Sequence, residues 1–503
     1  MVSSDTVLQL SQISKRFGNL LANDAISFDL KRGEVLALLG ENGAGKTTLM
    51  NILFGHYTAD RGEITVFGQP LPPGSPRAAL RAGIGMVHQH FTLADNLTVL
   101  ENVVLGTEPL WQPWQNQKLA RQRLMELADR FGLVVNPQAR VGELSVGERQ
   151  RVEILKALYR EVKILILDEP TAVLTPQEAE ALFNTLGKLT GAGLSVVFIS
   201  HKLQEVMAVS DRVLVLRAGQ VVALVNTSDT NAGELAEWMV GRPLAKTVRP
   251  PLAVGKPVLE LTDVTVQASQ QQTLLHQVNL TLHQHEIVGI AGVSGNGQAA
   301  LFDLISGLIA PTRGSLRLYG QEVRQFSPTS MVTAGVARIP EDRHSTGLVA
   351  DMSIWENLIL EHHQETAFSQ AGLLKLEAAN RHAEALIEAF DVRCPSPTAI
   401  VRLLSGGNMQ KLILGRVLSR SPQVIIASQP TRGLDLGAVT YVHQQLLEAR
   451  ERGAGILLIS EDLEELLSLS DRIAVIYKGQ LSQPIASEAV QVRELGLQMA
   501  GKM

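Results

Sequence analysis

The sequence predicts an α/β fold built twice, and three observations lead there. An apolar run, Val35-Leu36-Ala37-Leu38-Leu39, feeds a glycine loop, Gly40-Glu41-Asn42-Gly43-Ala44-Gly45-Lys46-Thr47-Thr48, that opens onto Leu49-Met50-Asn51-Ile52-Leu53-Phe54, which reads as strand, loop and helix start. Strand-like runs alternate with helical stretches such as 176–189 and 438–451, the pattern of a sheet flanked by helices. The arrangement then recurs: 24–30 is echoed by 276–282, 40–46 by 292–298, 144–148 by 404–408, and 164–171 by 424–431. The offset is 252 residues at the loops (40 to 292) and 260 at the later pairs (144 to 404), far too long for a solenoid unit and suited to a duplicated domain.

The first loop carries the sharpest chemistry. Its glycines let successive backbone N–H groups converge on one centre, and the helix that follows adds its positive dipole end, so a phosphate chain fits. Lys46 is placed for the β and γ phosphates and the Thr47 hydroxyl for Mg2+, the mechanical content of G-x-x-x-x-G-K-S/T. Gly40, Glu41, Asn42, Gly43, Ala44, Gly45, Lys46, Thr47 and Thr48 are therefore the expected nucleotide contacts. A second apolar strand, Ile164-Leu165-Ile166-Leu167, ends in Asp168-Glu169. Phosphoryl transfer to water needs one group to hold the metal and another to orient and deprotonate the water. Asp168 suits the first role and Glu169 the second. Gln89, after the strand ending Met86-Val87, could reach both metal and water, and His201, after Val196-Val197-Phe198-Ile199-Ser200, could reach the γ-phosphate.

Composition bounds the rest. With 503 residues and 45% hydrophobic content, the chain can fill two or three cores. A net charge of −5 argues against a basic face for nucleic acid. Cys394 is the sole cysteine, which excludes a disulfide framework and a cysteine-based zinc site and points to a reducing compartment. No apolar run approaches the ~20 residues that span a bilayer, and Met1-Val2-Ser3-Ser4-Asp5 lacks the basic and apolar parts of a signal. A soluble, cytoplasmic chain that can still dock on a membrane protein is expected. The proline- and glycine-bearing stretch near 241–257 divides it into a first domain at 1–245, a linker at 246–257 and a second domain at 258–503. Between loop and Leu-Ser motif each copy reads as mostly helical, for example at 116–131 and 375–390.

Taken together, the P-loop, Gln89, Leu144-Ser145-Val146-Gly147-Glu148, Asp168-Glu169 and His201 resemble an ATP-binding cassette domain, and the repeat resembles two fused cassettes. The resemblance covers essentially the whole chain. It implies two P-loop NTPase domains, each a mixed sheet core with a helical subdomain, hydrolysing ATP with Mg2+. In that family the Leu-Ser-Gly-Gly-Gln signature contacts the γ-phosphate of ATP held by the opposite cassette. Phe17, in Lys15-Arg16-Phe17-Gly18, matches the aromatic that stacks on adenine.

The second copy departs from the pattern. Gln298 and Ala299 stand at the lysine and hydroxyl positions, Ser428 and Gln429 at the carboxylates, Glu341 at the glutamine and Glu461 at the histidine, with no aromatic between Val258 and Leu301. It keeps Leu404-Ser405-Gly406-Gly407-Asn408 and Asp435, where the first copy has Val146, Glu148 and Thr175. The resemblance therefore implies one hydrolytic site, with Lys46, Thr47, Gln89, Asp168, Glu169 and His201 in cis and Ser405, Gly406, Gly407 and Asp435 in trans. The other site would be structural, or would bind nucleotide without turnover.

Two fused cassettes without membrane spans resemble the ATPase subunits of bacterial importers for nucleosides and monosaccharides. The strings Val87-His88-Gln89-His90-Phe91-Thr92-Leu93, Pro340-Glu341-Asp342-Arg343 and 429–435 sharpen this, and Ser428-Gln429 favours the nucleoside branch over the ribose or galactose type. Implied partners are two integral-membrane permease subunits and, indirectly, an extracytoplasmic solute-binding protein, with the chain peripheral at the cytoplasmic face and never touching the solute. The stretch 90–105, with Phe91, Leu93, Leu97, Val99 and Leu100, is expected at the surface, where with 343–358 it would receive a permease helix. A ribosome-associated twin-cassette ATPase is the rival, but such proteins keep two complete ATP sites and a long charged linker.

Overall fold

The computed structural model describes residues 5–88, 91–107, 117–171, 174, 176–200, 202–241, 249–268, 273–293, 295–499 and 501. The chain divides into two compact units, Met1–Leu244 and Ala245–Met503.

In the first unit, β1 (Thr6–Phe17) pairs antiparallel with β2 (Leu20–Lys31). β3 (Val35–Leu39) runs into the glycine loop and α1 (Lys46–Phe54), followed by β4 (Arg61–Val66), β5 (Gln69–Pro70) and α2 (Pro76–Arg81). Next come β6 (Ile84–Val87) and three helices, α3 (Val99–Val104), α4 (Gln117–Phe131) and α5 (Val146–Tyr159). The unit closes with β7 (Ile164–Asp168), α6 (Pro176–Gly191), β8 (Ser195–Ile199), α7 (Leu203–Val209), β9 (Arg212–Arg217), β10 (Gln220–Asn226) and α8 (Ala232–Val240).

Two sheets result, an antiparallel one ordered β2-β1-β4-β5 and a central one ordered β10-β9-β3-β8-β7-β6. The central strands are parallel except β10, and they read as unbroken apolar runs because both faces are covered. Side chains alternate across the sheet. Leu36, Leu38, Ile164, Ile166, Val197 and Ile199 meet Leu8, Leu10, Ile26 and Phe28 of the antiparallel sheet. Val35, Ala37, Leu39, Leu165, Leu167 and Phe198 meet the helical layer through Val99, Val103, Leu124, Val152 and Leu155.

The second unit repeats this plan. Its central sheet runs Val336–Ile339, Val424–Ser428, Gly455–Ser460, Ile287–Ala291, Arg472–Tyr477, Gln480–Leu481, the order of the first unit position by position. Its helices at Leu376–Ala389 and Leu436–Glu451 fall where helical stretches were expected. Ahead of its first strand, Pro257–Gln267, the chain is pinned rather than loose. Arg450, 1% exposed, donates to the Pro250 carbonyl (2.9 Å) and grips both oxygens of Asp471 (3.0 and 2.7 Å). Arg249 donates to the Ser487 hydroxyl (2.9 Å) and pairs with Glu488. A buried guanidinium with every partner aligned is the form in which such a charge is tolerated. Among the described residues no helix is long and apolar enough to cross a membrane.

One expectation fails here. Phe91, Leu93, Leu97 and Leu100 are half-buried, Leu93 and Leu100 pack on the core, and Val99 and Val103 are 0% exposed. The cause is α3: Thr98 and Glu101 form a capping box, and the turn so started lays its valines against α5. Much of the stretch therefore covers its own core, while Leu105 at its end stays 56% exposed.

Candidate nucleotide site

The carboxyl ends of parallel strands in an open α/β sheet are where ligands bind. In the first unit β3 delivers the glycine loop to that edge, β7 delivers Asp168-Glu169, and β6 delivers His88. The loop depends on glycine at two places. A Cβ at Gly45 (φ 100°) would strike the Ala22 carbonyl, and one at Gly40 (φ 156°) the Leu216 carbonyl. α1 starts at Lys46, so the positive end of its dipole faces the loop. Lys46 is 8% exposed, and its Nζ donates to the carbonyls of Gly40 (2.6 Å) and Glu41 (3.0 Å). Asn23 braces the loop by donating to the Gly45 carbonyl (3.1 Å). Thr47, on the first turn of α1, is exposed and Thr48 half-buried.

Burial, and then the charge of Glu169, push the Asp168 carboxyl above its ordinary value, against the pull of Lys46. Glu169 itself sits in the left-handed region (φ 47°) while its N–H donates to the Ile199 carbonyl on β8 (2.9 Å). A non-glycine residue held there costs about 1–3 kcal/mol. The neighbouring fold imposes it, since Gln429 repeats the conformation (φ 46°) with the equivalent bond to Ile459 (2.8 Å). Gln89, His201 and Thr175 lie outside the described residues. Among the described residues, no cluster of three His, Cys, Asp or Glu could hold a metal alone. The Thr47 hydroxyl and one carboxylate, Asp168, fit the Mg2+ pattern in which nucleotide phosphates and water complete the octahedron.

Sequence reasoning missed Glu205. Its Oε2 accepts from the hydroxyls of Thr171 (2.5 Å) and Ser200 (3.0 Å), tying the chain after Asp168-Glu169 to the end of β8. The repeat was the available signal, because Thr431 donates to Glu465 (2.7 Å) at the same 34-residue separation.

The two signature motifs differ in charge. Ser145 caps α5, and Glu148 completes a capping box, Ser145 N–H to Glu148 Oε2 at 2.9 Å. The backbone N–H and then the hydroxyl of Ser145 hold the Glu148 carboxyl below its usual range. A Cβ on Gly147 would collide with a second carboxylate, that of Glu178. In the other unit the Ser405 hydroxyl caps the helix Gly406–Leu418 by accepting from the Asn408 N–H (3.4 Å) and also accepts from the Asn408 side-chain amide (3.0 Å), no acidic residue lies in the first turn, and a Cβ on Gly407 would meet only Ala438 (3.4 Å). Asp435 caps the helix Leu436–Glu451 by accepting from the Ala438 N–H (2.8 Å).

The second glycine loop is closed on itself. Gln298 Nε2 donates to the Val293 carbonyl (2.8 Å) while its Oε1 accepts the Asn296 N–H (3.0 Å). Gln429 Oε1 accepts the Glu461 N–H (3.4 Å), and Glu341 is paired with Arg432. No cation, metal hydroxyl or paired carboxylate stands at these positions.

The glycine loop, the helix behind it and the carboxylates at the same sheet edge define a P-loop nucleotide-binding protein, present as one intact and one altered copy. The ABC transporter family matches residues 23–172 and 275–432, and the chain belongs to that family. It is 45% identical over 531 residues to the glucose import ATP-binding protein TsgD13 of Haloferax volcanii, covering 99% of this chain and 96% of that one. It is 44% identical to the nucleoside import ATP-binding protein NupA of Lactococcus lactis subsp. cremoris, covering 99% of both. In the crystal structure of archaeal ribosomal stalk protein aP1 with the archaeal ribosome recycling factor aABCE1, a chain aligns with TM-score 0.63 over 94% of this chain and 90% of its own. At 18% identity that likeness shows the twin-cassette fold and nothing of function.

Proposed function

We propose that this chain is the ATP-hydrolysing subunit of an importer for nucleosides or related simple sugars, bound at the cytoplasmic face to two membrane permease subunits. Solute would reach those permeases from an extracytoplasmic binding protein. The observation that carries the reading is identity of 44–45% over nearly full length to two import ATP-binding proteins. Ser428-Gln429 favours nucleosides; the glucose import relative keeps the monosaccharide reading in play. ATPase activity of the reconstituted complex, assayed with binding protein and either nucleosides or hexoses, separates the two. Stimulation by neither class would count against both.

Within the chain, the domains run 1–245 and 258–503 with the linker 246–257 between them. ATP is held by Phe17 and residues Gly40 to Thr48, with Mg2+ at Thr47 and Asp168 and within reach of Gln89. Glu169 activates the water and His201 contacts the γ-phosphate. Ser405, Gly406, Gly407 and Asp435 complete this site from the other cassette. Charge supports that assignment: a γ-phosphate approaching α5 meets Glu148 and Glu178, whereas the helix after Ser405 offers bare N–H groups.

Ser405→Arg or Gly407→Asp, both remote from Lys46 in sequence, should therefore reduce hydrolysis by about 10²-fold or more. Ser145→Arg should act on assembly instead. Single-turnover counting should find one ATP cleaved per closure; two per closure, or normal hydrolysis by Gly407→Asp, would overturn the one-site arrangement.

A further inference from the structure

Tyr57 lies just past the carboxyl end of α1, the helix that opens with Lys46, and its N–H is tied back to the Asn51 carbonyl (3.1 Å). Its ring meets Phe17 edge to face, with centroids 5.5 Å apart and planes at 71°. An aromatic pair that served only packing would be covered. These rings stay 43% (Phe17) and 41% (Tyr57) exposed. The turn carrying Phe17 is fixed from the same segment: Lys15 Nζ lies 5.5 Å from the Phe17 centroid and pairs with Asp60 (2.9 Å), which also accepts the Arg16 N–H (2.7 Å).

The second unit supplies an independent comparison. The 252-residue offset carries position 57 to Ile309 (57 + 252), which packs partly buried against its own core. The backbone there is alike, since Asp60 N–H to Ser14 carbonyl (2.8 Å) recurs as Thr312 to Thr265 (2.8 Å). Yet neither aromatic remains, and this is the copy without the P-loop lysine. A pair required by the fold would have persisted in both copies; this one has gone together with the means to hold a triphosphate.

We propose that Tyr57 is a positioning residue of the adenine site, its ring fixing the Phe17 side chain so that one face stays open to a purine. The inference rests on the reading of Phe17 as the adenine platform. Edge-to-face contact sets a ring's orientation more than its location, so the effect falls on base affinity and leaves the phosphate loop untouched.

Titration of the full-length chain with ATP, and separately with inorganic tripolyphosphate, tests it. Tyr57→Ala should weaken ATP binding about three- to tenfold, the range one aromatic pair supports, with tripolyphosphate affinity unchanged. Tyr57→Phe, which keeps the ring, should restore ATP affinity. Wild-type ATP affinity in Tyr57→Ala while Phe17→Ala is weakened would overturn the role of Tyr57 and leave the platform standing. Wild-type affinity in Phe17→Ala would remove the platform itself. Equal weakening toward tripolyphosphate would place the damage at the phosphate loop and overturn the inference.

Discussion

Lys46→Ala should abolish ATPase activity and solute uptake, a loss of about 10³-fold or more, because phosphoryl transfer depends on positioning and charge neutralisation rather than on covalent chemistry. The ammonium is held at the loop by the Gly40 and Glu41 carbonyls. The matching change in the second unit should behave oppositely. Gln298→Ala removes two hydrogen bonds that close a loop, costing about 1–2 kcal/mol of stability while leaving hydrolysis intact. Steady-state ATPase and thermal unfolding measured on both variants separate the outcomes. Full activity in Lys46→Ala would sink the placement of the hydrolytic site.

Glu169→Gln should bind ATP normally and turn over about 10²–10⁴-fold more slowly, since it keeps the shape and hydrogen bonding of the side chain but removes the base. The fold should not suffer. Gln429 shows that glutamine accepts the same left-handed backbone with the same bond to the next strand. Loss of turnover can then be read as chemistry, checked by ATP titration beside single-turnover rates. Turnover within a few-fold of wild type would remove Glu169 from the mechanism. Gln429→Ala should retain most activity.

The duplicated fold and the intact loop were legible because phosphate chemistry demands particular residue types at short fixed spacings. Gly40 to Thr48 and Asp168-Glu169 are local strings, and the repeat marks their positions a second time, at 292–300 and 428–429, with different residues in the chemical places. What stayed hidden are contacts between residues far apart in the chain. Glu205 meets Thr171 across 34 residues, Phe17 meets Tyr57 across 40 (57 − 17), and Arg450 reaches Pro250 across 200. No spacing rule announces such pairs. The burial of 91–105 is a different case. Thr98-x-x-Glu101 with Val99 and Val103 one turn apart is a legible capped, one-sided helix, but its apolar side chains suit a buried face and a docking face equally until the neighbouring helix is in place.

The self-closed loop at Gln298 bears on how steep a gradient the importer can sustain. If one nucleotide is cleaved per closure, as proposed above, the work available for lifting solute is that of one hydrolysis, and the attainable concentration ratio grows exponentially with that work, tenfold for each 1.4 kcal/mol. A machine of the same efficiency that cleaved two nucleotides per closure could reach the square of that ratio. An importer built on this chain would stall against a shallower gradient while moving more solute per nucleotide consumed, a low gear and not a high one.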